Sequence, residues 1–143
     1  MYCKGLSKQD LIDFGIVSIY WDKHTNNWAI IRDWYKNNSK TKTSLYKLQI
    51  CDVTTKHKYT GDKSYPKVQF NWKNRSYAFP LSRVIYAWFR EDIPDGYVID
   101  HIDNNPYNNK LDNLQLLTIE ENIRKRFVDL GCNCFNQFKN SND

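Results

Sequence analysis

The hydrophobic pattern of the chain changes its period near position 80. Before this point, apolar residues alternate with polar ones, as in Val68, Phe70 and Trp72 and again in Tyr77 and Phe79, which predicts half-buried strands. After it, apolar residues recur at helical spacing, and a proline at the first helical position favours a helix start. We therefore expect an α+β fold. The apolar positions of the predicted helix are Leu81, Val84, Ile85, Trp88 and Phe89.

The region before position 80 contains further segments of regular structure joined by polar stretches. Ser7, followed three residues later by Asp10, predicts the start of a short helix. Alternating segments predict strands, and the polar, lysine-rich segments between them predict loops. The predicted strands cover residues 16–21, 28–34 and 46–50, and the predicted loops cover residues 35–44 and 51–65.

The composition excludes several classes of protein. The chain has 143 residues, of which 41% are hydrophobic and 26% charged, so a folded domain is expected rather than disorder. No apolar run reaches the roughly eighteen residues of a membrane helix, and the N-terminus lacks the apolar stretch of a signal peptide. We therefore expect a cytoplasmic protein without a membrane partner.

The charge of the chain is divided unevenly between its two halves. Residues 1–79 carry fourteen Lys and Arg against six Asp and Glu, a net charge of +8, whereas residues 80–143 carry seven against ten, a net charge of −3. Lys and Arg that neutralise phosphates gain affinity by releasing counterions. A solvated lysine-rich surface explains the same charge equally well, so charge alone leaves both interpretations open.

The second half predicts two short strands and a capped helix. Residues 97–101 and 114–117 predict the strands, and Thr118 with Glu121 predicts a capping box that opens a helix reaching about residue 129. Polar residues occupy positions of this unit where packing would favour apolar ones. Asn122 replaces the apolar residue expected at the fourth position after the cap, and such local violations cluster at functional sites.

The polar residues of this unit form a motif with defined spacing. The chain reads IDHIDNNPYNN at residues 99–109, DNLQLLT at 112–118 and EN at 121–122. Asn113 follows His101 by twelve residues, and Asn122 follows it by twenty-one. This pattern resembles the motif of HNH endonucleases, above all the H-N-N variety of phage and group I intron homing endonucleases. The segment preceding the motif is also similar to the helix of these phage enzymes, so the resemblance covers residues 68–127.

The chemistry of phosphodiester hydrolysis gives these residues physical roles. His101 is the candidate general base, because imidazole titrates near neutrality. Asp100 and Asn122 offer two hard oxygen ligands for one Mg²⁺ or Mn²⁺ ion, which would stabilise the leaving 3′ oxygen. Asn113 is expected to hydrogen-bond across the hairpin and orient His101. The resemblance implies the same roles, and it implies a ββα-metal nuclease core.

The resemblance also implies double-stranded DNA as the partner. Arg83, Arg124, Lys125 and Arg126 are candidate phosphate contacts, although solvated surface accounts for any one of them equally well. The expected organisation is a basic, aromatic-rich DNA-binding region at residues 1–65, a nuclease core at residues 66–130 and a polar tail at residues 131–143.

The function expected from these features is metal-dependent hydrolysis of DNA by a homing-type or nicking endonuclease, encoded by a phage and acting in the host bacterial cytoplasm. Because the sequence holds one active site, we expect a monomer that nicks one strand. Two alternatives stay open. A DNA-binding protein with a vestigial HNH fold is disfavoured by the intact motif, and an RNA-binding protein is the other, since basic, aromatic sheets also suit single strands.

Overall fold

The computed structural model describes residues 4–33, 43–56 and 63–129; the predicted tail and most of the predicted loop at 35–44 lie outside these ranges. The described residues form three helices and eight strands, which confirms the mixed α and β composition. The helices are α1 (Lys8–Asp13), α2 (Leu81–Phe89) and α3 (Ile119–Asp129). The strands are β1 (Ile16–Asp22), β2 (Asn27–Asp33), β3 (Leu45–Lys47), β4 (Ile50–Thr55), β5 (Lys63–Trp72), β6 (Arg75–Pro80), β7 (Tyr97–His101) and β8 (Leu114–Thr118). A 3-10 turn covers Leu111–Asn113. No helix of the described ranges has the length and apolarity needed to cross a membrane.

The strands of the described ranges form three antiparallel sheets with the orders β1-β2-β3, β4-β5-β6 and β7-β8. Lys73 and Asn74 join β5 to β6 with φ angles of 49° and 62°, as in the two-residue hairpin turns whose twist matches that of the flanking strands. In the third sheet, Asp100 lies opposite Gln115. Asp100 and His101 therefore lie at the loop end of a short hairpin, and α3 follows β8 directly.

Helix α2 occupies the centre of the hydrophobic core. Leu81, Val84 and Ile85 have no exposed surface, and they pack in one cluster with residues of all three sheets and of the N-terminal segment. The predicted boundary between residues 65 and 66 falls inside β5, and this cluster extends to both sides of it. The members from outside α2 include Leu6, Leu11, Ile30, Val68 and Leu114.

The local signals for helix starts are confirmed. The Ser7 hydroxyl accepts a hydrogen bond from the Asp10 backbone N–H at 3.0 Å, and the Asp10 carboxylate accepts one from the Ser7 backbone N–H at 3.0 Å. Thr118 and Glu121 form the same reciprocal pair at the start of α3, at 3.1 and 3.2 Å. Each pair satisfies backbone donors that the helix itself leaves free. The predicted strands of the first hairpin are present as β1 and β2, and those of the motif are present as β7 and β8.

Two predictions for residues 46–65 are wrong. The segment 46–50 is not one strand, because it is divided between β3, which pairs with β2, and β4, which pairs with β5. The segment 51–65, predicted as a loop, contains most of β4 and the start of β5. Cys51 and Val53 are half-buried, whereas Asp52 and Thr54 are exposed, so β4 does alternate from Cys51 onward. Its solvent face is polar, as one face of an antiparallel sheet often is, and the lysines around it obscured the pattern.

Hydrogen bonds attach the N-terminal half to the β7–β8 unit and to the segment that precedes it. The backbones of Leu6 and Ile93 exchange hydrogen bonds of 2.9 and 2.8 Å. The Trp28 indole on β2 donates to the backbone oxygen of Asn109, in the loop between β7 and β8, at 2.7 Å. The first sheet therefore holds in place the loop that carries much of the motif.

Candidate active site

The side chains of Asp100 and His101, at the end of β7, leave opposite faces of the strand. Asp100 faces α3, where its Oδ2 lies 3.3 Å from the Nζ of Lys125. The same oxygen accepts a hydrogen bond from Nε2 of Gln115 on β8, at 2.8 Å. The carboxylate thus contacts both α3 and β8. Its Oδ1 has no hydrogen-bond partner among the described residues.

The imidazole of His101 is fixed by the amide of Asn109. Nε2 of His101 lies 2.7 Å from Oδ1 of Asn109, whose Nδ2 donates to the backbone oxygen of Pro106 at 3.1 Å. The second bond sets the orientation of the amide, so its oxygen faces the ring. Because an amide oxygen only accepts hydrogen bonds, Nε2 carries the hydrogen in neutral His101. The lone pair is then on Nδ1, which makes Nδ1 the basic nitrogen.

Asn109 is the functional residue that sequence reasoning missed. It belongs to the motif, but the sequence pattern does not distinguish it from the other asparagines of the loop. In the structure it is only 4% exposed, and its backbone oxygen accepts the Trp28 indole. A buried amide is expensive unless its donors and acceptors are paired, and no local sequence signal shows which asparagine of a loop is buried.

Asn113 closes the loop between the two strands. It is 8% exposed, and its Nδ2 donates to Oδ1 of Asp103 at 2.9 Å and to the backbone oxygen of Asn108 at 2.8 Å. Its own Oδ1 accepts the backbone N–H of Asp103 at 3.1 Å. These bonds join the residues that follow His101 to those that precede the second strand, and the orienting of His101 by Asn113 stays a prediction.

The carboxylate of Asp103 accepts hydrogen bonds from three sides. Asn108 Nδ2 donates to it at 2.9 Å, the Asn105 backbone N–H at 2.8 Å and Asn113 Nδ2 at 2.9 Å. Donation favours the ionised form, so these bonds, with a small contribution from the charge of His101, lower its pKa from 3.8 to about 2. Asp103 therefore stabilises the loop, where three hydrogen bonds occupy most of the acceptor positions of its carboxylate.

Asn122 lies in the first turns of α3, three residues before Lys125 and on the same side of the helix. Its side chain is half-buried and makes no hydrogen bond with any described residue. An amide that is partly removed from water without a protein partner is available to a ligand. The next residue, Ile123, is 48% exposed, so α3 presents an apolar side chain to solvent while a polar one faces inward.

The donor set on this side of the hairpin fits a small divalent cation. Asp100 offers Oδ1 and Asn122 offers its amide oxygen, both hard ligands of the type that Mg²⁺ prefers, with water completing its coordination. The Lys125 ammonium already lies 3.3 Å from Oδ2 of Asp100, so Oδ1 is the oxygen left for an added cation. No three His, Cys, Asp or Glu side chains cluster in the described ranges.

The four predicted phosphate contacts have different surroundings. Arg83 donates to the backbone oxygens of Tyr97 at 3.2 Å and Lys4 at 2.5 Å, so it ties the N-terminal segment to β7. Arg124 pairs with Glu120 at 2.9 Å on the exposed face of α3. Nζ of Lys125 lies 3.3 Å from Oδ2 of Asp100 and donates a hydrogen bond to Oδ1 of Asn104 at 2.5 Å. Arg126 is exposed and makes no ion pair within the described residues. Contact with DNA stays a prediction for each of them.

His101 also lines a cavity of about 320 Å³ between β7 and the start of α2. The wall includes Pro80, Ser82 and Ile99, and the histidine ring is half-exposed. A base that removes a proton from water must be accessible to water, and the half-exposed ring of His101 meets this condition.

Comparison with known proteins identifies the segment that carries this geometry. The family model described as HNH endonuclease matches residues 80–124. This segment is of the HNH type. The match includes Asp100, His101, Asn113 and Asn122, and it confirms the resemblance expected from the motif.

One curated relative shows a second, shorter similarity. Protein 3.8 of Escherichia phage T7 is 63% identical to this chain over 30 residues, which are 21% of this chain. The match spans only 25% of the length of that protein, whose name states no activity. No solved structure matches the chain.

The first prediction concerns Asp103. We expect its carboxyl to titrate at pH about 2. Because this pKa is lowered by folding, the stability that Asp103 contributes is present above its ordinary pKa of 3.8 and is lost as the pH falls through about 2. Carbon-detected NMR of the side-chain carboxyl measures the midpoint, and Asn108→Ala, which removes the largest cause, is expected to raise it. A midpoint near 3.8 in the unaltered chain would contradict the loop geometry.

Proposed function

We propose that the protein is a metal-dependent endonuclease that hydrolyses DNA phosphodiester bonds, with β7, β8 and α3 as its ββα-metal core. The observation that carries the proposal is the bond between His101 and Asn109, which leaves Nδ1 as the basic nitrogen of a half-exposed imidazole ring. The HNH match to residues 80–124 supports the reaction class. A phage-encoded enzyme of the homing or nicking type is the form that we favour, and the phage relative supports that origin.

In the proposed reaction, Nδ1 of His101 accepts a proton from a water molecule, and the resulting hydroxide attacks phosphorus in line with the 3′ oxygen. A new P–O bond forms as the P–O3′ bond breaks. The products are a 5′-phosphate and a 3′ oxygen that takes a proton from solvent. Asn109 holds the ring and its tautomer, while Asn113 holds the loop in which Asn109 lies.

Asp100 and Asn122 are the residues that would hold one Mg²⁺ or Mn²⁺ ion. When bound, such an ion supplies Lewis-acid stabilisation of the charge that develops on the leaving oxygen. The carboxylate is positioned for this by Gln115 on the neighbouring strand, at 2.8 Å. The amide is positioned by the capped first turn of α3, in which Thr118 and Glu121 fix the helix start.

A second candidate function is DNA binding without cleavage. The ion pair between Lys125 and Asp100 favours it, because the carboxylate already has a protein cation at 3.3 Å. The two candidates differ in one observable, which is whether Mg²⁺ converts supercoiled plasmid to the nicked form.

The second prediction tests the proposed base. We expect the chain to nick plasmid with Mg²⁺ and not with EDTA, as a monomer with one active site should. His101→Ala is expected to lower the rate by about 10²–10⁴ with DNA affinity unchanged, since the base acts on the chemical step. Equal losses of binding and cutting would make His101 structural. Binding with no nicking in the unaltered chain would favour the second candidate.

The third prediction concerns Asn109 as a positioning residue. Asn109→Ala removes the acceptor of the Nε2 hydrogen, and we expect the rate to fall about 10–100-fold, as for other residues that orient a catalytic group. Asn109→Asp keeps an oxygen acceptor and is expected to recover most of the rate. Nitrogen NMR of the imidazole reports whether Nε2 still carries the hydrogen. If both variants keep that tautomer and the full rate, Asn109 serves only the fold.

The fourth prediction concerns Asn122. Asn122→Leu restores the apolar contact with Leu117 that a helix of this kind normally has, so stability is expected to hold or rise by at most about 1 kcal/mol. Mn²⁺ binding, measured by electron paramagnetic resonance, and cleavage are both expected to be lost. Asn122→Asp keeps an oxygen ligand near the positive end of the α3 dipole and is expected to bind metal. Unfolding of Asn122→Leu, or unchanged Mn²⁺ binding, would remove Asn122 from the metal site.

A further inference from the structure

A buried arginine lies in the N-terminal half, away from the HNH segment. Arg32 on β2 is 3% exposed. Its Nε donates to the backbone oxygen of Phe14 at 2.7 Å, Nη1 to the hydroxyl of Tyr46 at 2.9 Å and Nη2 to the backbone oxygen of Asn71 at 3.1 Å. The guanidinium therefore connects β2 to three other segments of the chain.

The charge of Arg32 has only neutral partners. Its carbon Cζ also lies 4.8 Å from the centroid of the Phe70 ring, and none of the ion pairs in the described residues includes it. Buried charges are normally paired with an opposite charge. A guanidinium has five N–H groups, and the two that remain have no acceptor among the described residues. Among the described residues, no anion lies at this site.

The same guanidinium lines a groove of about 690 Å³ at the tip of the β5–β6 hairpin. Lys73 and Arg75 line it as well, and none of its lining residues is acidic. Three cations therefore converge on one groove. The left-handed backbone of Lys73 and Asn74 forms the tight turn that brings the two exposed cations to the buried one.

The aromatic rings of this hairpin distinguish between two kinds of nucleic-acid contact. Nζ of Lys73 lies 4.5 Å from the centroid of the Trp72 ring, and Cζ of Arg75 lies 5.8 Å from that of the Tyr77 ring. A base that stacks on a protein needs an open ring face. Here cations cover one face of each ring, so the groove suits the phosphates of a backbone better than unstacked bases.

We propose that the groove formed by Arg32, Lys73 and Arg75 binds the phosphate backbone of duplex DNA. This inference rests on the proposed function, and it assigns the N-terminal half a definite point of contact outside the HNH segment. Arg32 supplies a rigid, pre-positioned fork for phosphate oxygens, and the two hairpin cations supply the electrostatic attraction.

The test measures binding of a short labelled duplex by fluorescence anisotropy in EDTA, over a series of salt concentrations. Each phosphate contact contributes about 0.9 to the slope of log K against log salt. Lys73→Gln and Arg75→Gln are each expected to make the slope shallower by about that amount. Lys23→Gln is the matched control, because Lys23 is an exposed cation in the turn at the opposite end of β2, and it is expected to leave the slope unchanged.

A second measurement covers Arg32 itself, since substituting a buried arginine endangers the fold. Nitrogen NMR of the arginine side chains is expected to show the Nη signals of Arg32 shifting when duplex is added to the unaltered chain. Unshifted Arg32 signals, or slopes for Lys73→Gln and Arg75→Gln that equal that of Lys23→Gln, would overturn the inference while leaving the endonuclease proposal intact. Tighter binding of a single strand than of the duplex would also overturn it. Duplex binding that meets these expectations without any Mg²⁺-dependent nicking would instead overturn only the proposed function.

Discussion

The candidate site depends on the pairing of two buried amides, those of Asn109 and Asn113. Leaving a buried donor or acceptor unpaired costs about 1–3 kcal/mol, so each amide strongly favours the one loop arrangement that satisfies it. Asn113, at the end of the loop between β7 and β8, binds Asp103 near its start and Asn108 in its middle. Asn109 binds the backbone of Pro106 and the His101 ring. The orientation of the imidazole is thus a consequence of how the loop folds, with no need for a charged partner on Nε2.

Hydrogen bonds of a buried side chain also fix the arrangement of the N-terminal half, where the side chain is the charged Arg32. Arg32 joins the end of α1, the first sheet and the second sheet through three neutral acceptors. Neutral acceptors satisfy the hydrogen bonds of a guanidinium but do not cancel its charge. The fold therefore keeps a positive potential at a fixed place, while the Trp28 indole connects the same sheet to the loop beside His101. These two contacts attach the proposed phosphate groove and the candidate active site to one scaffold.

Much of the second half of the chain could be predicted because its signals are local. Proline before α2, the capping box of α3 and the alternation in β7 and β8 each depend on a few neighbouring residues, and the motif spacing identified the HNH segment. Most of β4 and the start of β5 do not follow from the sequence, because a polar solvent face hides alternation. The importance of Asn109 was missed for a different reason: burial of one asparagine among many is decided by contacts distant in sequence, such as the indole 81 residues away. The ion pair between Lys125 and Asp100 likewise depends on how α3 packs on the hairpin.

The position of α2 has a consequence for how the protein can be divided. The HNH match begins at residue 80, one residue before a helix in which Leu81, Val84 and Ile85 are completely buried. Their packing partners include Leu11 and Val68, which the match does not cover. The recognisable motif is therefore shorter than the unit that folds. A polypeptide restricted to the motif would expose an apolar helix to water, so this segment cannot be transplanted as an independent cassette without the strands that enclose it.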